Sequence, residues 1–282
     1  MTGNIEILRF DDLKPHLLLK NGNYLYKIPF RGGWAVLKVY YGSRGWISCV
    51  IKSLENVLLA GQTSYMPKTR LRVEAECMAI WAKHGFRVFK TYPEVRVEAP
   101  NCPPGGYMLF EYVEAPKLGD VLRDESMPVE ARWEIYRRWL PEWSRRHDIA
   151  IREQEPRLVH ENGDSKHVMI LDKEFLWFDF EMTFRRRSKV AEHISHEIIQ
   201  YIWNLRKSTP PEISERLIEE TVRHYPDKGR LLRAHDYFWK HPNPFHRLGR
   251  ALDRALKEKS RKPSSKYNVA RLLREELLRA KA

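Results

Sequence analysis

What this sequence lacks narrows its class before any motif is considered. Three cysteines, Cys49, Cys77 and Cys102, are too few and too scattered for a disulfide framework or a zinc site, so a reducing cytoplasm is the expected setting. There is no run of about 18 or more apolar residues, which argues against a spanning helix. The opening stretch MTGNIEILRFDDLK carries acidic residues and no apolar core, which argues against a secretory signal. Internal repeats are absent, and so is a glycine-rich loop that would cradle phosphate through backbone N–H groups. Asn21-Gly22-Asn23, a tight turn with one glycine, comes nearest to one.

What is present is a globular composition. Hydrophobic residues make up 43% and aromatics 12% of 282 residues, enough to bury a sizeable core as one domain or two lobes. The formal net charge is +13, and it is unevenly placed. From Lys228 to Ala282 there are 16 Lys and Arg against 5 Asp and Glu, a surplus of 11, so the rest of the chain is nearly neutral. Such a segment attracts phosphate on an anionic membrane face, a phosphorylated glycolipid or a nucleic acid. The plainer alternative is a set of solvated basic helices. Nucleic acid is the weakest of these partners, because aromatic and basic residues are not interleaved there in a recognisable binding motif.

Patterning divides the chain. HLLLK (16–20), YLYKI (24–28) and WAVLKVYY (34–41) are rich in β-formers, with Asn21-Gly22 and Arg31-Gly32-Gly33 between them, which predicts a three-stranded meander. A helix is expected around 52–60. Another is expected from Arg70 to Lys83, where Val73, Cys77, Ile80 and Trp81 share a face and Gly85 supplies the stop. FRVFKTYPEVRVEA and GGYMLFEYVEA read as two more strands. After Lys117 the pattern turns helical: Trp133, Tyr136, Leu140, Trp143 and Ile149 recur behind Pro128, and Ile194, Ile198, Ile202 and Leu205 form a stripe. Pro210-Pro211, Pro242-Asn243-Pro244 and Lys262-Pro263-Ser264-Ser265 punctuate the remainder, and YNVARLLREELLRAKA closes it as an amphipathic helix with a basic side. The expected fold class is α+β. Residues 1–113 form a small β-rich lobe, 114–227 a helical lobe interrupted by one β-hairpin, and 228–282 a basic helical extension.

Residues 158–184, LVHENGDSKHVMILDKEFLWFDFEMTF, carry the chemistry. A turn holding His160, Asn162, Asp164 and His167 leads into an apolar run, a polar turn, and a second run ending in Asp179-Phe180-Glu181. A carboxylate closing a buried strand such as Leu176-Trp177-Phe178 is costly unless it is paired or metal-bound. The order His-x-x-x-x-x-x-His, apolar strand, Trp-Phe-Asp-Phe-Glu resembles the lipopolysaccharide core heptose and Kdo kinases, within the protein-kinase-like superfamily. The resemblance spans roughly residues 16–207.

That resemblance implies a protein-kinase-like two-lobed fold and an ATP-dependent phosphotransferase that needs Mg or Mn. Its acceptor would be a sugar hydroxyl of a lipopolysaccharide-type glycolipid, reached from the cytoplasm at the anionic inner face of a bacterial inner membrane. Lys38, in Ala35-Val36-Leu37-Lys38, matches the strand lysine that contacts the α- and β-phosphates, with Glu74 or Glu76 as its partner. Glu74 is favoured, because Cys77 and Met78 at +3 and +4 bring it beside the buried stripe. Phe110-Glu111-Tyr112-Val113 resembles the hinge that holds adenine through backbone groups, which makes Glu111 and Val113 nucleotide-binding residues. Asp179 is the implied metal ligand. His167 stands where many kinases carry a metal-binding Asn; imidazole serves several divalent metals but suits Mg poorly, hence Mn as the alternative. Asn162 occupies the place of the catalytic Asp. Asp164, two residues on, is the candidate to take the acceptor's proton, with Asn162 as the orienting alternative and His160 as a structural residue. Two rival readings stay open: a pseudokinase that binds nucleotide or a partner without turnover, and a kinase acting on a protein or small molecule.

Overall fold

The computed structural model describes residues 5–41, 45–241, 244–262 and 265–281. The chain begins with β1 (Glu6–Arg9), β2 (Leu17–Lys20), β3 (Tyr24–Phe30) and β4 (Gly33–Val39). Then come α1 (Trp46–Leu54), α2 (Pro67–Lys83), β5 (Arg87–Val88), β6 (Val95–Glu98) and β7 (Tyr107–Glu111). It continues through α3 (Leu118–Arg123), α4 (Val129–Glu153), β8 (Val168–Leu171), β9 (Glu174–Trp177) and α5 (Val190–Ser208). Six more helices follow among the described residues: α6 (Pro211–Ser214), α7 (Leu217–His224), α8 (Lys228–Trp239), α9 (Pro244–Leu256), α10 (Glu258–Arg261) and α11 (Lys266–Arg279). The fold is α+β, with strands concentrated early and helices late. Two compact units share the chain: Met1–Ala115 with Leu176–Arg185, and Pro116–Phe175 with Arg186–Ala282. The segment 176–185, assigned from sequence to the helical lobe, groups with the strand-rich unit. Residues 228–282 belong to the second unit and do not stand apart from it.

In the first unit an antiparallel sheet has the order β2-β3-β4-β7, and the expected meander is its first three strands. Phe30 pairs with Gly33 across Arg31-Gly32, whose φ values of 49° and 78° make the two-residue turn that matches strand twist. Alternation along β4 buries Ala35, Leu37 and Val39 in a core with Tyr26, Ile28, Phe30 and Leu109. The same period-two geometry turns Val36 and Lys38 to the opposite face.

Three expectations change in detail. FRVFKTYPEVRVEA adds no full strand to that sheet: it meets β7 only through a bridge between Thr91 and Phe110, and Pro93, which has no N–H to give a ladder, lies between β5 and β6. β6 pairs in parallel with β1, a strand not foreseen from the sequence, and β5 pairs in parallel with the end of β9. The helix expected over 52–60 begins at Trp46 and continues past Leu54 in π-helical turns over Glu55–Ala60. α2 begins three residues early, with Pro67 where a missing N–H is harmless, and Gly85 at φ 75° ends it. Val73, Cys77 and Trp81 are buried and Ile80 is half-buried. Cys49, Cys77 and Cys102 are buried and form no disulfide.

The second unit is organised by aromatic side chains on α4. Trp133, Tyr136, Trp139, Leu140 and Trp143 are fully buried, and the Trp139 and Trp143 rings stack at 4.5 Å between centroids. Tyr201 of α5 packs on both, and Ile194, Ile198, Ile202 and Leu205 are fully buried beneath it. α11 packs on α5, α7 and α8 through Val269, Ala270, Leu273 and Leu277, so the C-terminal amphipathic helix is core. Pro242, Asn243, Pro263 and Ser264, part of the expected turns, lie outside the described residues, as does the start of the N-terminal stretch, 1–4. Among the described residues no helix is long and apolar enough to cross a membrane.

Candidate functional site

Lys38 is buried, and its ammonium donates to the two Glu74 oxygens at 3.0 and 2.7 Å. Glu181 lies 2.7 Å from the same nitrogen and Asp179 3.7 Å. α2 accounts for this convergence. Arg70, Glu74, Cys77 and Trp81 recur at helical spacing on its buried face, whereas Glu76 is exposed and pairs with Arg72 along the surface. Trp81 packs on Trp177 and Phe180 with centroids 5.5 and 4.6 Å apart. Phe180 is thus an anchor, and the carboxylates on either side of it reach Lys38. Asp179 has a backbone φ of 71°, a left-handed conformation that is unfavourable for a residue with a β-carbon and that clusters at functional sites.

Arg70, almost wholly buried, closes the cluster. Its Nη1 donates to Glu181 Oε2 at 2.8 Å, to Asn23 Oδ1 at 2.6 Å and to the Gly22 carbonyl at 3.2 Å. Its Nη2 donates to the Tyr40 carbonyl at 2.9 Å, and the Tyr40 hydroxyl donates to Glu74 Oε2 at 2.5 Å. Asn23 Nδ2 donates to Glu181 Oε1. The Asn21-Gly22-Asn23 turn is therefore tied into the cluster by its own backbone and side chain. Three carboxylates face two cations. Burial alone would lower the Lys38 pKa, but Glu181, Glu74 and Asp179 outweigh it and hold Lys38 well above the ordinary lysine value. Burial raises Glu74, and Glu181 and Asp179 add to the rise against the pull of Lys38. Burial, then Glu74, pushes Tyr40 up.

Glu111 ends β7 opposite Ala35. Its N–H donates to the Lys90 carbonyl at 2.9 Å, and its Oε1 accepts from Arg87 at 2.5 Å and from the Lys90 N–H at 2.7 Å. That N–H and side chain are thus engaged within the first unit, and Val113 is half-buried just past the strand.

Asn162, Asp164 and His167 lie between α4 and β8 in the second unit. Three α5 side chains at i, i+4 and i+7, Glu197, Tyr201 and Asn204, hold this loop. Glu197 is fully buried: its Oε2 accepts the His160 N–H at 2.8 Å, and its Oε1 accepts from the Trp143 indole at 2.9 Å and from Arg146. The Tyr201 hydroxyl and His160 Nδ1 share a hydrogen bond of 2.8 Å, and Asn204 Nδ2 donates to the Gly163 carbonyl at 3.0 Å. A side chain at Gly163 would place its Cβ 2.7 Å from the Tyr201 ring, so only glycine fits there. Asp164 caps the short turn Ser165–His167, accepting the Lys166 N–H at 3.1 Å, with Lys166 Nζ at 3.3 Å. Burial, opposed by Arg146 and assisted by Asp164, raises the Tyr201 pKa. Buried His167 donates from Nδ1 to the Asn162 carbonyl at 3.2 Å, which leaves the ring's lone pair on Nε2. The Asn162 side is exposed.

The structure thus brings Lys38, Glu74 and Asp179 together in the first unit, and Asn162, Asp164 and His167 in the second. No protein-family model and no curated protein matches this chain. Among solved structures it is similar to the amicoumacin kinase hAmiN in complex with AMP-PNP, Ca2+ and Ami, at 12% identity over 96% of this chain and 90% of that one, with a TM-score of 0.41. A likeness of that size leaves function to the chain's own residues.

Several of those residues were given no role from sequence. Arg70 carried a signal, a cation one turn before Glu74 on a face otherwise apolar. Glu197, Tyr201 and Asn204 carried another, a polar stripe running beside Ile194, Ile198, Ile202 and Leu205. Asn23 was marked only as part of the turn nearest to a phosphate loop, and Tyr40 carried no signal, because their partners lie far away in the chain. Among the described residues no group of three or more His, Cys, Asp or Glu is arranged to hold a metal ion.

Proposed function

We propose that this protein is an ATP-dependent phosphotransferase of the protein-kinase-like type. One observation carries the reading: a buried lysine is held charged by a helix glutamate, with a third-party carboxylate, Asp179, 3.7 Å from the same ammonium. Replacing a buried ion pair by apolar residues is often neutral or stabilising, so such a pair argues weakly for stability and leaves room for function. A fixed cation beside a partly exposed carboxylate suits a metal-bound triphosphate.

Asp179 fits a divalent cation. It is an oxygen donor, it is only partly buried, and the local charge balance is negative. Mg2+ keeps several waters and takes one or two protein carboxylates with phosphate oxygens, so no preformed cage is required. His167, with its lone pair on Nε2, suits Mn2+ better. When bound, the cation would offset charge on the phosphates. Lys38 would hold the α- and β-phosphates, Glu74 fixing its position, and Glu111 and Val113 would bound the adenine. Asp164 would accept the acceptor hydroxyl's proton as its oxygen bonds the terminal phosphorus and the bond to the departing ADP breaks; Asn162 would orient that hydroxyl. The motif of residues 158–184 and the basic segment 228–282 favour a sugar hydroxyl on a phosphorylated glycolipid as acceptor.

The test is thermal stabilisation by ATP with Mg2+ or Mn2+, run beside an ATP-consumption assay on core-sugar acceptors. Asp179→Asn should abolish the stabilisation. If wild type and variant bind ATP–metal alike, the Asp179 segment is no nucleotide site and the reading fails. A second reading, nucleotide binding without turnover, is favoured by Asn162 at the place of the catalytic Asp. It predicts stabilisation of the wild type with no ATP consumption, and activity gained on Asn162→Asp.

A further inference from the structure

α9 and α11 are both amphipathic, and the fold treats them oppositely. α11 buries its apolar stripe, whereas no residue of α9 is buried. Phe245, Leu248, Leu252 and Leu256 are 80%, 59%, 50% and 78% exposed. Their spacing of i, i+3, i+7 and i+11 makes one continuous stripe down the helix. The attached face is the basic one. The Arg250 guanidinium lies 4.4 and 4.8 Å from the Tyr237 and Phe238 rings, and that of Arg254 lies 4.3 Å from Trp239, all three rings belonging to α8. Arginines mount the helix and apolar side chains look outward, the reverse of a surface helix that hides its stripe in the core. A contiguous apolar stripe this largely exposed to solvent marks an interaction surface.

We infer that α9 docks the protein on an anionic lipid surface, with Phe245, Leu248, Leu252 and Leu256 entering the boundary between headgroups and acyl chains. Charge complementarity selects this occupant. α9 lies within 228–282, which carries 16 basic against 5 acidic residues, and Arg247, Lys257 and Lys262 are exposed on it or just beyond it. Anionic headgroups are attracted to such a segment, while a second copy of the chain would bring the same positive surplus and be repelled. An exposed apolar stripe within a segment rich in Lys and Arg is the arrangement that lies in a membrane interface. The inference does not depend on phosphoryl transfer.

The full chain is to be sedimented with phosphatidylglycerol vesicles and with phosphatidylcholine vesicles. Wild type should partition onto the anionic vesicles and not the neutral ones. Leu248→Gln/Leu252→Gln, which leaves the charge unchanged, should weaken that partitioning at least about ten-fold with no change in melting temperature, since both positions are exposed. Phe245→Gln is the second variant and should act in the same direction. Equal binding by wild type and both variants would mean adsorption by charge alone and would overturn the insertion. Failure of the wild type to bind anionic vesicles at low salt would overturn it too. So would a concentration-dependent dimer that the glutamine variants abolish, because a second copy would then cover the stripe.

Discussion

Replacing Lys38 by Met tests the electrostatics of the first-unit cluster most directly. The substitution keeps the stem's length and removes the charge, leaving Glu74 with 4% of its side chain exposed. Glu181 keeps Arg70 as a partner, but Glu74 then faces Glu181 and Asp179 with the Tyr40 hydroxyl as its remaining hydrogen-bond donor among the described residues. Breaking a buried pair on one side costs about 3–5 kcal/mol. At roughly 2–4 °C per kcal/mol for a protein of this size class, the melting temperature should fall on the order of 10 °C. The loss should depend on pH in a definite direction. Without Lys38 the Glu74 carboxyl is driven further above its ordinary value, so the folded variant holds a proton that the unfolded chain has released. Its stability is therefore retained near the ordinary carboxylate pKa and lost as pH rises toward the raised value. The deficit relative to wild type should be larger at pH 8 than at pH 5. Adding Glu74→Gln removes the stranded carboxylate and should recover much of the loss at pH 8 while flattening the pH dependence. Thermal melts of wild type, Lys38→Met, Glu74→Gln and the double variant at both pH values decide the matter. An equal deficit at pH 5 and pH 8, or no recovery in the double variant, would refute the argument.

Asp164→Asn should lower turnover by about 10²–10⁴-fold while leaving stabilisation by ATP and metal unchanged, as expected when a group handles the acceptor's proton and not the nucleotide; steady-state rates beside thermal shifts separate the two. His193 and His196 on α5 give an acid sensitivity, because burial, the leading cause for both, lowers them to about 4 and about 3. The unfolded chain takes up those protons below the ordinary histidine pKa and the folded chain does not, so stability should fall as pH drops from near 6.5, by about 2 kcal/mol per histidine at pH 5. Denaturant melts of His196→Leu should show a shallower decline with acid than wild type; an unchanged slope counts against it.

Much of this arrangement follows from short-range rules that act within the chain itself. Turn chemistry at Arg31-Gly32 and alternation along β4 set the meander and put Lys38 on the face away from Ala35, Leu37 and Val39. Helical periodicity marked α2, α4, α5 and α11, and a carboxylate behind Leu176-Trp177-Phe178 marked Asp179. Tertiary packing decided the rest. Glu74 and Glu76 sit on one helix two residues apart; periodicity favoured Glu74, and the packing of α2 buried it and left Glu76 paired with Arg72. Arg70 and Glu181 are separated by more than 100 positions, and no local pattern could join them. The loop of Asn162 and Asp164 owes its shape to Glu197, Tyr201 and Asn204, which reach it from the next helix. The clearest division is between α9 and α11. Periodicity establishes that a helix has an apolar face, because side chains three and four apart fall together. Which way that face points depends on what the rest of the chain offers it, so Val269, Leu273 and Leu277 of α11 went into the core while the leucines of α9 stayed outside.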